Sequence, residues 1–328
     1  MATLKDIAKI ANVNVSTVSK ALRQNTDLNK NTVMKIRKIA DQLNYKYSLP
    51  EPEKEPVIGI VCPEIISSYY TNIINSFQNH VKKAGYEAII MVSGFSPKRE
   101  LECIDIFLKN NVCGIICFTE SVENSDSIKA IADYNDITFV FVTTAGDISF
   151  CDSISIDDSF GVAMAVNHLT DLGHKKIAYV GDKLSARRKD AFLNALANKN
   201  IEINQSYIVE TNLRFEECGY WGMNEVLSAK DFPTAVFASY DNIAIGAMRA
   251  IYEKGLKIPD DISIVSVDNI RSSQYLYKSL TTITEPTEDL GEIASSLMIE
   301  KIKDKKKTIQ NIKLRPILNI RETTAFAK

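Results

Sequence analysis

The residues of this 328-residue chain with chemistry to offer lie mostly just beyond short apolar runs. Tyr69 and Tyr70 follow one such run, Thr119 follows another, and Asp157, Tyr240 with Asp241, and Asp268 follow three more. In doubly wound α/β folds, small ligands collect at the carboxyl ends of strands, where aromatic faces and carboxylates can hold them. Asp157 and Asp241 also stand where helices begin, so a capping role is the alternative for each.

Catalysis lacks its anchors. The chain has no GxxxxGK[ST], no GxGxxG after a strand and no GxSxG, which removes phosphate-loop, dinucleotide and nucleophile-elbow chemistry. Only His80, His168 and His174 could serve as imidazole bases, and His174 precedes a strand, a position suited to structural hydrogen bonding. The acidic pairs Asp157-Asp158 and Asp260-Asp261 sit on adjacent residues that point apart, so they read as caps and turns. Six cysteines have neither CxxC spacing nor a partnering histidine, which fits buried thiols in a reducing compartment. The expectation is a binding protein, not an enzyme, with no cofactor and no metal.

These positions need a scaffold. The apolar runs Val57–Cys62, Glu87–Val92, Gly114–Phe118, Thr138–Val142, Ser153–Ile156, Lys176–Val180, Thr234–Ala238 and Ile262–Val267 are separated mostly by helical stretches of about a dozen residues. That alternation predicts parallel sheets, in two doubly wound lobes of about five or six strands. No apolar run approaches the ~18 residues of a membrane span, and Met1 leads directly into an amphipathic pattern, so a cytoplasmic protein without a membrane partner is expected.

Charge is uneven. The formal net charge is −2, yet residues 1–48 carry nine Lys or Arg against three Asp. A basic head therefore precedes an acidic body. Within the head, Thr3 and Asp6 have the form of a capping box before Leu4, Ile7, Ala8 and Ala11. Asn14 suits the N-cap of a second helix with Val18, Ala21 and Leu22 inward, and a third begins after Asn29. Two short helices braced by a third form a helix-turn-helix, which presents its second helix to the DNA major groove; a three-helix capping module is the alternative.

The segment Thr3-Leu4-Lys5-Asp6-Ile7-Ala8, with Ala11 through Leu22 and Leu43-Asn44-Tyr45, resembles the headpiece of the lactose-repressor (LacI/GalR) family of transcription regulators. The likeness continues through His168-Leu169, Leu172-Gly173-His174, Ile243 to Ala247, Pro259 to Ser263, Val267-Asp268-Asn269, Leu280 to Ile283 and Arg315-Pro316. It implies a periplasmic-binding-protein-like core in which the lobes exchange strands, one from 57–156 and 286–314, the other from 157–284 and 316–328. It also implies that Val15, Ser16 and Lys20 read bases, that Thr3, Asn14, Thr17, Ser19, Asn29 and Thr32 mostly contact phosphate, and that Tyr69, Tyr70 and Asp268 face an effector.

Three departures from the family pattern bear on function. Arg214 stands where relatives often place an aromatic that stacks on the effector. The loop 181–192 is shorter than usual, so the effector-gripping arginine is either Arg187 or Arg188. Two guanidiniums facing one cleft would favour an acid-bearing ligand, whereas Arg214 beside Glu216 and Glu217 would be a surface residue. Finally, the linker 49–56 carries Pro50, Pro52 and Pro56 with three glutamates in place of a helix-forming segment, which opposes minor-groove insertion.

The sequence therefore predicts a homodimeric regulator, with a repressor expected, that reads a pseudo-palindromic operator with residues 1–48 and senses a small molecule with residues 57–328. The effector would be a sugar or related, acid-bearing or neutral, metabolite. The alternative is a small-molecule-binding protein whose head no longer binds DNA.

Overall fold

A computed structural model of the chain describes residues 2–23, 28–47, 55–119, 121, 123–143 and 148–328. The linker reading for 49–56 falls almost wholly outside the described residues. Two compact units are present, Met1–Glu55 and Pro56–Lys328.

In the first unit, α1 (Leu4–Ala11) opens on the predicted capping box: Thr3 N–H donates to Asp6 Oδ2 at 2.8 Å, and Asp6 N–H donates back to Thr3 Oγ1 at 3.4 Å. It stops at Asn12, whose φ of 57° lies in the left-handed region that asparagine tolerates. Helix α2 (Val15–Leu22) follows two residues later, and α3 (Lys30–Gln42) begins after Asn29, whose side chain accepts from Asn31 N–H at 2.9 Å. Ile7, Ala11, Val18, Ala21, Ile36 and Ala40 form one small core. Two basic residues of α3 brace its neighbours: Lys35 Nζ donates to Ala11 O at 3.2 Å and Arg37 to Ala21 O at 3.4 Å, each cation meeting carbonyls at a helix C-terminus.

The second unit holds two six-stranded sheets. The first has the order β11-β5-β4-β3-β1-β2, from β1 (Val57–Cys62), β2 (Glu87–Val92), β3 (Gly114–Thr119), β4 (Thr138–Thr143), β5 (Asp152–Ile156) and β11 (Asn311–Leu314), every pair parallel. The second has the order β12-β10-β9-β8-β6-β7, from β6 (Ile177–Asp182), β7 (Ile208–Thr211), β8 (Ala235–Ala238), β9 (Ser263–Val267), β10 (Thr281–Thr284) and β12 (Ile317–Asn319); only β12 is antiparallel. The chain passes between sheets three times, after β5, after β10 and after β11.

Helices cover both faces of each sheet. Helix α4 (Ser68–Lys83) and α11 (Thr287–Lys303) bury Ile73, Phe77, Leu290, Ala294 and Met298 over one face of the first sheet, and α5 (Pro97–Lys109) with α6 (Ser125–Asn135) cover the other. On the second sheet, α7 (Asp158–Asp171) and α8 (Ala186–Asn198) surround stacked Tyr179, Phe192 and Phe237, while α9 (Phe215–Val226) and α10 (Asp241–Glu253) pack opposite. The last two helices cross at backbone contact: a Cβ at Gly246 would lie 1.9 Å from Glu216 O, and one at Gly219 would lie 1.8 Å from Ile243 O. Glycine is therefore required at both positions.

Candidate functional site

On the head, the exposed part of α2 is a short polar surface. Asn14, Val15, Ser16 and Lys20 are exposed and Thr17 and Ser19 half-buried, while Val18, Ala21 and Leu22 face the core. Asn14 caps α2 through its backbone alone, so its amide is uncommitted. Thr3 is exposed too, but its hydroxyl also donates to Asp6 Oδ2 at 2.8 Å, so its first duty is the cap. Thr32, half-buried, and Asn29, exposed, sit at the opening of α3.

In the core unit a cavity of about 120 Å³ lies between the two sheets, at the carboxyl ends of their strands. Measured by the space left for water centres, one water needs ~10–15 Å³, so the cavity suits a molecule of roughly ten non-hydrogen atoms. Its centre is Arg188. The guanidinium donates to Asp158 Oδ1 at 3.0 Å, Glu285 Oε1 at 2.6 Å, Asp268 Oδ1 at 3.4 Å and Ser239 O at 2.9 Å. Burial opposes its charge, but the carboxylates more than offset this and hold it protonated. Burial pushes Asp268 up to about 7 despite Arg188, and lifts Glu285 well above the ordinary carboxyl range; one Glu285 oxygen is buried without a hydrogen-bond partner.

Asp268 is held in place by strained backbone. Its φ is 108° and that of Asn269 is 54°, both in the left-handed region. Asp241, fully buried, anchors this turn: it accepts from Ser266 Oγ at 2.5 Å, Thr282 Oγ1 at 2.6 Å and Ile270 N–H at 2.8 Å. Burial raises its carboxyl to about 6, against those three hydrogen bonds.

A second charged knot closes the cavity. Arg214, from the second sheet's lobe, meets Glu64 of the first in a bidentate pair at 2.5 and 3.1 Å, and lies 3.5 Å from Asp182. Tyr240 Oη donates to Asp182 Oδ2 at 2.7 Å and accepts from Phe215 N–H at 3.0 Å. Tyr69, Tyr70, Phe95 and Phe215 complete an aromatic lining.

Two family descriptions fit the chain: "Bacterial regulatory proteins, lacI family" over residues 3–48 and "Periplasmic binding protein-like domain" over residues 166–324. Proteins named HTH-type transcriptional repressor PurR, from Mannheimia succiniciproducens and Histophilus somni, are 30% and 32% identical over 98% of this chain and 98% and 99% of their own. The chain belongs to the LacI family. It is a helix-turn-helix transcription regulator of the repressor type with an effector-binding core, and not an enzyme. Among solved LacI-family structures, a regulator from Enterococcus faecium with bound ribose is 26% identical, with a TM-score of 0.74, covering 83% of this chain and all of that one. The lac repressor dimer bound to operator and the anti-inducer ONPF matches the fold over 99% of both chains, at 24% identity and a TM-score of 0.79.

Within this LacI-family core, Tyr69, Tyr70, Arg187, Arg188, Arg214, Tyr240 and Asp268 line the cavity. Three expected residues do not. Thr119 is turned onto α5, its hydroxyl donating to Ser121 O at 2.8 Å and lying 3.2 Å from Glu100. Asp157 accepts from Phe160 N–H at 3.1 Å as the cap of α7, and its neighbour Asp158 enters the cavity instead. Asp241 acts through the Asp268 turn. Of the arginine pair, Arg188 is interior, and Arg187 sits exposed at the rim with no ion pair among the described residues. Arg214 is not beside Glu216 and Glu217 in any ion pair; its partners are Glu64 and Asp182. Asp158, expected as a cap or turn residue, faces Arg188 instead; Glu64, Phe95, Asp182 and Glu285 are further lining residues that carry a strand-end signal, since Glu64 follows β1, Phe95 follows β2, Asp182 closes β6 and Glu285 follows β10.

Proposed function

We propose that this chain represses transcription by binding a pseudo-palindromic operator as a homodimer through residues 1–48, and that a small neutral polyhydroxyl compound of monosaccharide size, bound between the lobes, controls that binding. The cytoplasm, where the DNA is, would be its compartment; among the described residues no helix is long and apolar enough to cross a membrane.

The observation that carries the ligand reading is the pairing of the cavity's arginines. Five carboxylates, Glu64, Asp158, Asp182, Asp268 and Glu285, surround three arginines, and the two interior arginines are already engaged by them. An acid-bearing ligand would find no free interior cation, since Arg188 and Arg214 are already paired with carboxylates of the cavity, and this weighs against the acidic effector that the arginines alone suggest. Hydroxyl donors suit carboxylate acceptors, and the rings of Tyr69, Tyr70, Phe95 and Phe215 suit the apolar face of a sugar. The ribose in the E. faecium regulator is of the size that ~120 Å³ admits. For the homodimer, support comes from exposed rings on the second lobe: Tyr275 and Tyr277 are 75% and 89% exposed, and Tyr277 lies beside Tyr252.

Calorimetry on the purified chain tests the ligand reading, with D-ribose and other neutral pentoses and hexoses set against the corresponding aldonic acids and sugar phosphates. Neutral sugars should bind and the acids should not; tight binding of the acids alone would overturn it. Selection of operator fragments from genomic DNA tests the head, and a protein that binds sugar but retains no DNA fragment would favour the binding-protein alternative.

A further inference from the structure

From the way Arg214 is held, we infer that Arg214 and Glu64 form an interlobe clasp that keeps the cleft shut before any ligand arrives. In a two-lobed binding fold the ligand ordinarily supplies the bond between lobes. Here the protein supplies one itself. Glu64 follows β1 in the first lobe and Arg214 precedes α9 in the second, and their two parallel hydrogen bonds, 2.5 and 3.1 Å, cross the cleft. A bidentate, charge-assisted pair of this kind is both the strongest and the most orientation-dependent of side-chain contacts.

The surroundings come from both lobes as well. The guanidinium carbon lies 5.4 Å from the Phe95 ring centre in the first lobe and 4.6 Å from that of Phe215 in the second, so a cation–π contact forms on each side. Glu64 is 7% exposed, which shields its carboxylate from water and salt, while the Arg214 side chain stays 31% exposed at the cavity's edge. Arg214 is also pre-aimed. Phe215 holds φ at 52°, a costly value for a bulky residue, and its N–H is tied to Tyr240, which is tied to Asp182, which faces Arg214 Nε at 3.5 Å. Strain kept at this one residue fixes the direction in which the guanidinium leaves the backbone.

The clasp lines the same cavity as Arg188, so parting the pair would widen the site that a ligand occupies between the lobes. The clasp itself does not depend on the effector reading; its bearing on regulation does.

Distances between the lobes decide the matter with neither ligand nor DNA present. Nitroxide labels at Lys98→Cys and Glu217→Cys, exposed residues in the first turns of α5 and α9, report the cleft mouth in the full chain with half-buried Cys113 changed to alanine. Protein refolded from urea to strip any small molecule should give one narrow, short distance. Arg214→Ala and the near-isosteric Glu64→Gln should each lower the closed-to-open ratio about tenfold or more, seen as a longer and broader distribution. Arg249→Ala, which breaks an ion pair within one lobe, is the control and should change nothing. Circular dichroism confirms that each variant is folded. If the clasp variants keep the wild-type distribution, or the control opens the cleft as far, the inference fails.

Discussion

Removing Arg188 should unfold the core far more readily at alkaline than at acid pH. Arg188→Met keeps the length of the side chain and deletes the charge that Asp158, Asp268 and Glu285 share at 3.0, 3.4 and 2.6 Å. Breaking a buried ion pair from one side costs about 3–5 kcal/mol, because the remaining charges stay desolvated. For a unit of this size each kcal/mol is worth roughly 2–4 °C, so a fall on the order of 10 °C is expected near pH 8. Acid relieves the cost. Asp268 titrates near 7 and Glu285 well above the ordinary range even beside Arg188, and both rise further without it, so at pH 5 they fold as neutral acids. Each proton taken up recovers up to ~1.4 kcal/mol per pH unit. Urea unfolding followed by circular dichroism and by Trp221, the chain's one tryptophan, measures this at pH 5 and pH 8. A loss that is equal at both pH values, or below about 1 kcal/mol at pH 8, would refute the account of Arg188 as the shared counter-ion.

Three further outcomes are expected. Asp268 has a folded pKa raised from 3.8 to about 7, so its contribution is complete below about pH 4 and is lost as pH rises toward 7; Asp268→Asn should flatten that part of the stability profile, and the difference between the two proteins cancels the opposing titration of half-buried His168 and buried His174. Gly246→Ala should cost about 3 kcal/mol or leave the protein insoluble, since its Cβ would fall 1.9 Å from Glu216 O; thermal unfolding near the wild-type temperature would refute the helix contact. On operator DNA, Lys20→Ala should relax preference at one base step in each half-site, whereas Asn14→Ala should weaken all sequences alike; fluorescence anisotropy on single-base variants separates the two patterns.

What could be read from the sequence follows from where each residue's partners lie. Strand β1 matches its apolar run end for end, because a buried parallel strand is a continuous apolar segment; β2, a half-buried edge strand, matches its run because Ala88 to Val92 is apolar without interruption. Strands β7, β11 and β12 lie at sheet edges and are three or four residues long, so they carry too little apolar pattern to stand out. Within the site, strand ends located the cavity, but the individual carboxylate depended on orientation. Asp157 and Asp158 differ by one step at a helix start, and that step sends one to the cap and the other to Arg188. Asp241 has the right position along the chain but spends its acceptors on Ser266, Thr282 and Ile270. Nor could spacing foretell the Arg214–Glu64 pair, whose members are 150 residues apart.

The three passages of the chain between sheets set an order of completion during synthesis. The second lobe's parallel strands β6 to β10 and its helices α7 to α10 are contiguous in sequence, ending at Thr284, and lack the antiparallel edge β12 and the segment after it, whose buried Thr323 bonds Ile264 and Thr281. The first lobe, although begun earlier, waits for α11 to bury Leu290, Ala294 and Met298 and for β11 to pair with β5, as in Lys313 against Ser155. While the ribosome makes residues 157–284, the apolar face awaiting α11 stays open to water and to chaperones. The core of the first lobe therefore closes only once the chain has been made to Leu314, and a chain terminated earlier carries the head on a lobe unable to close its own core.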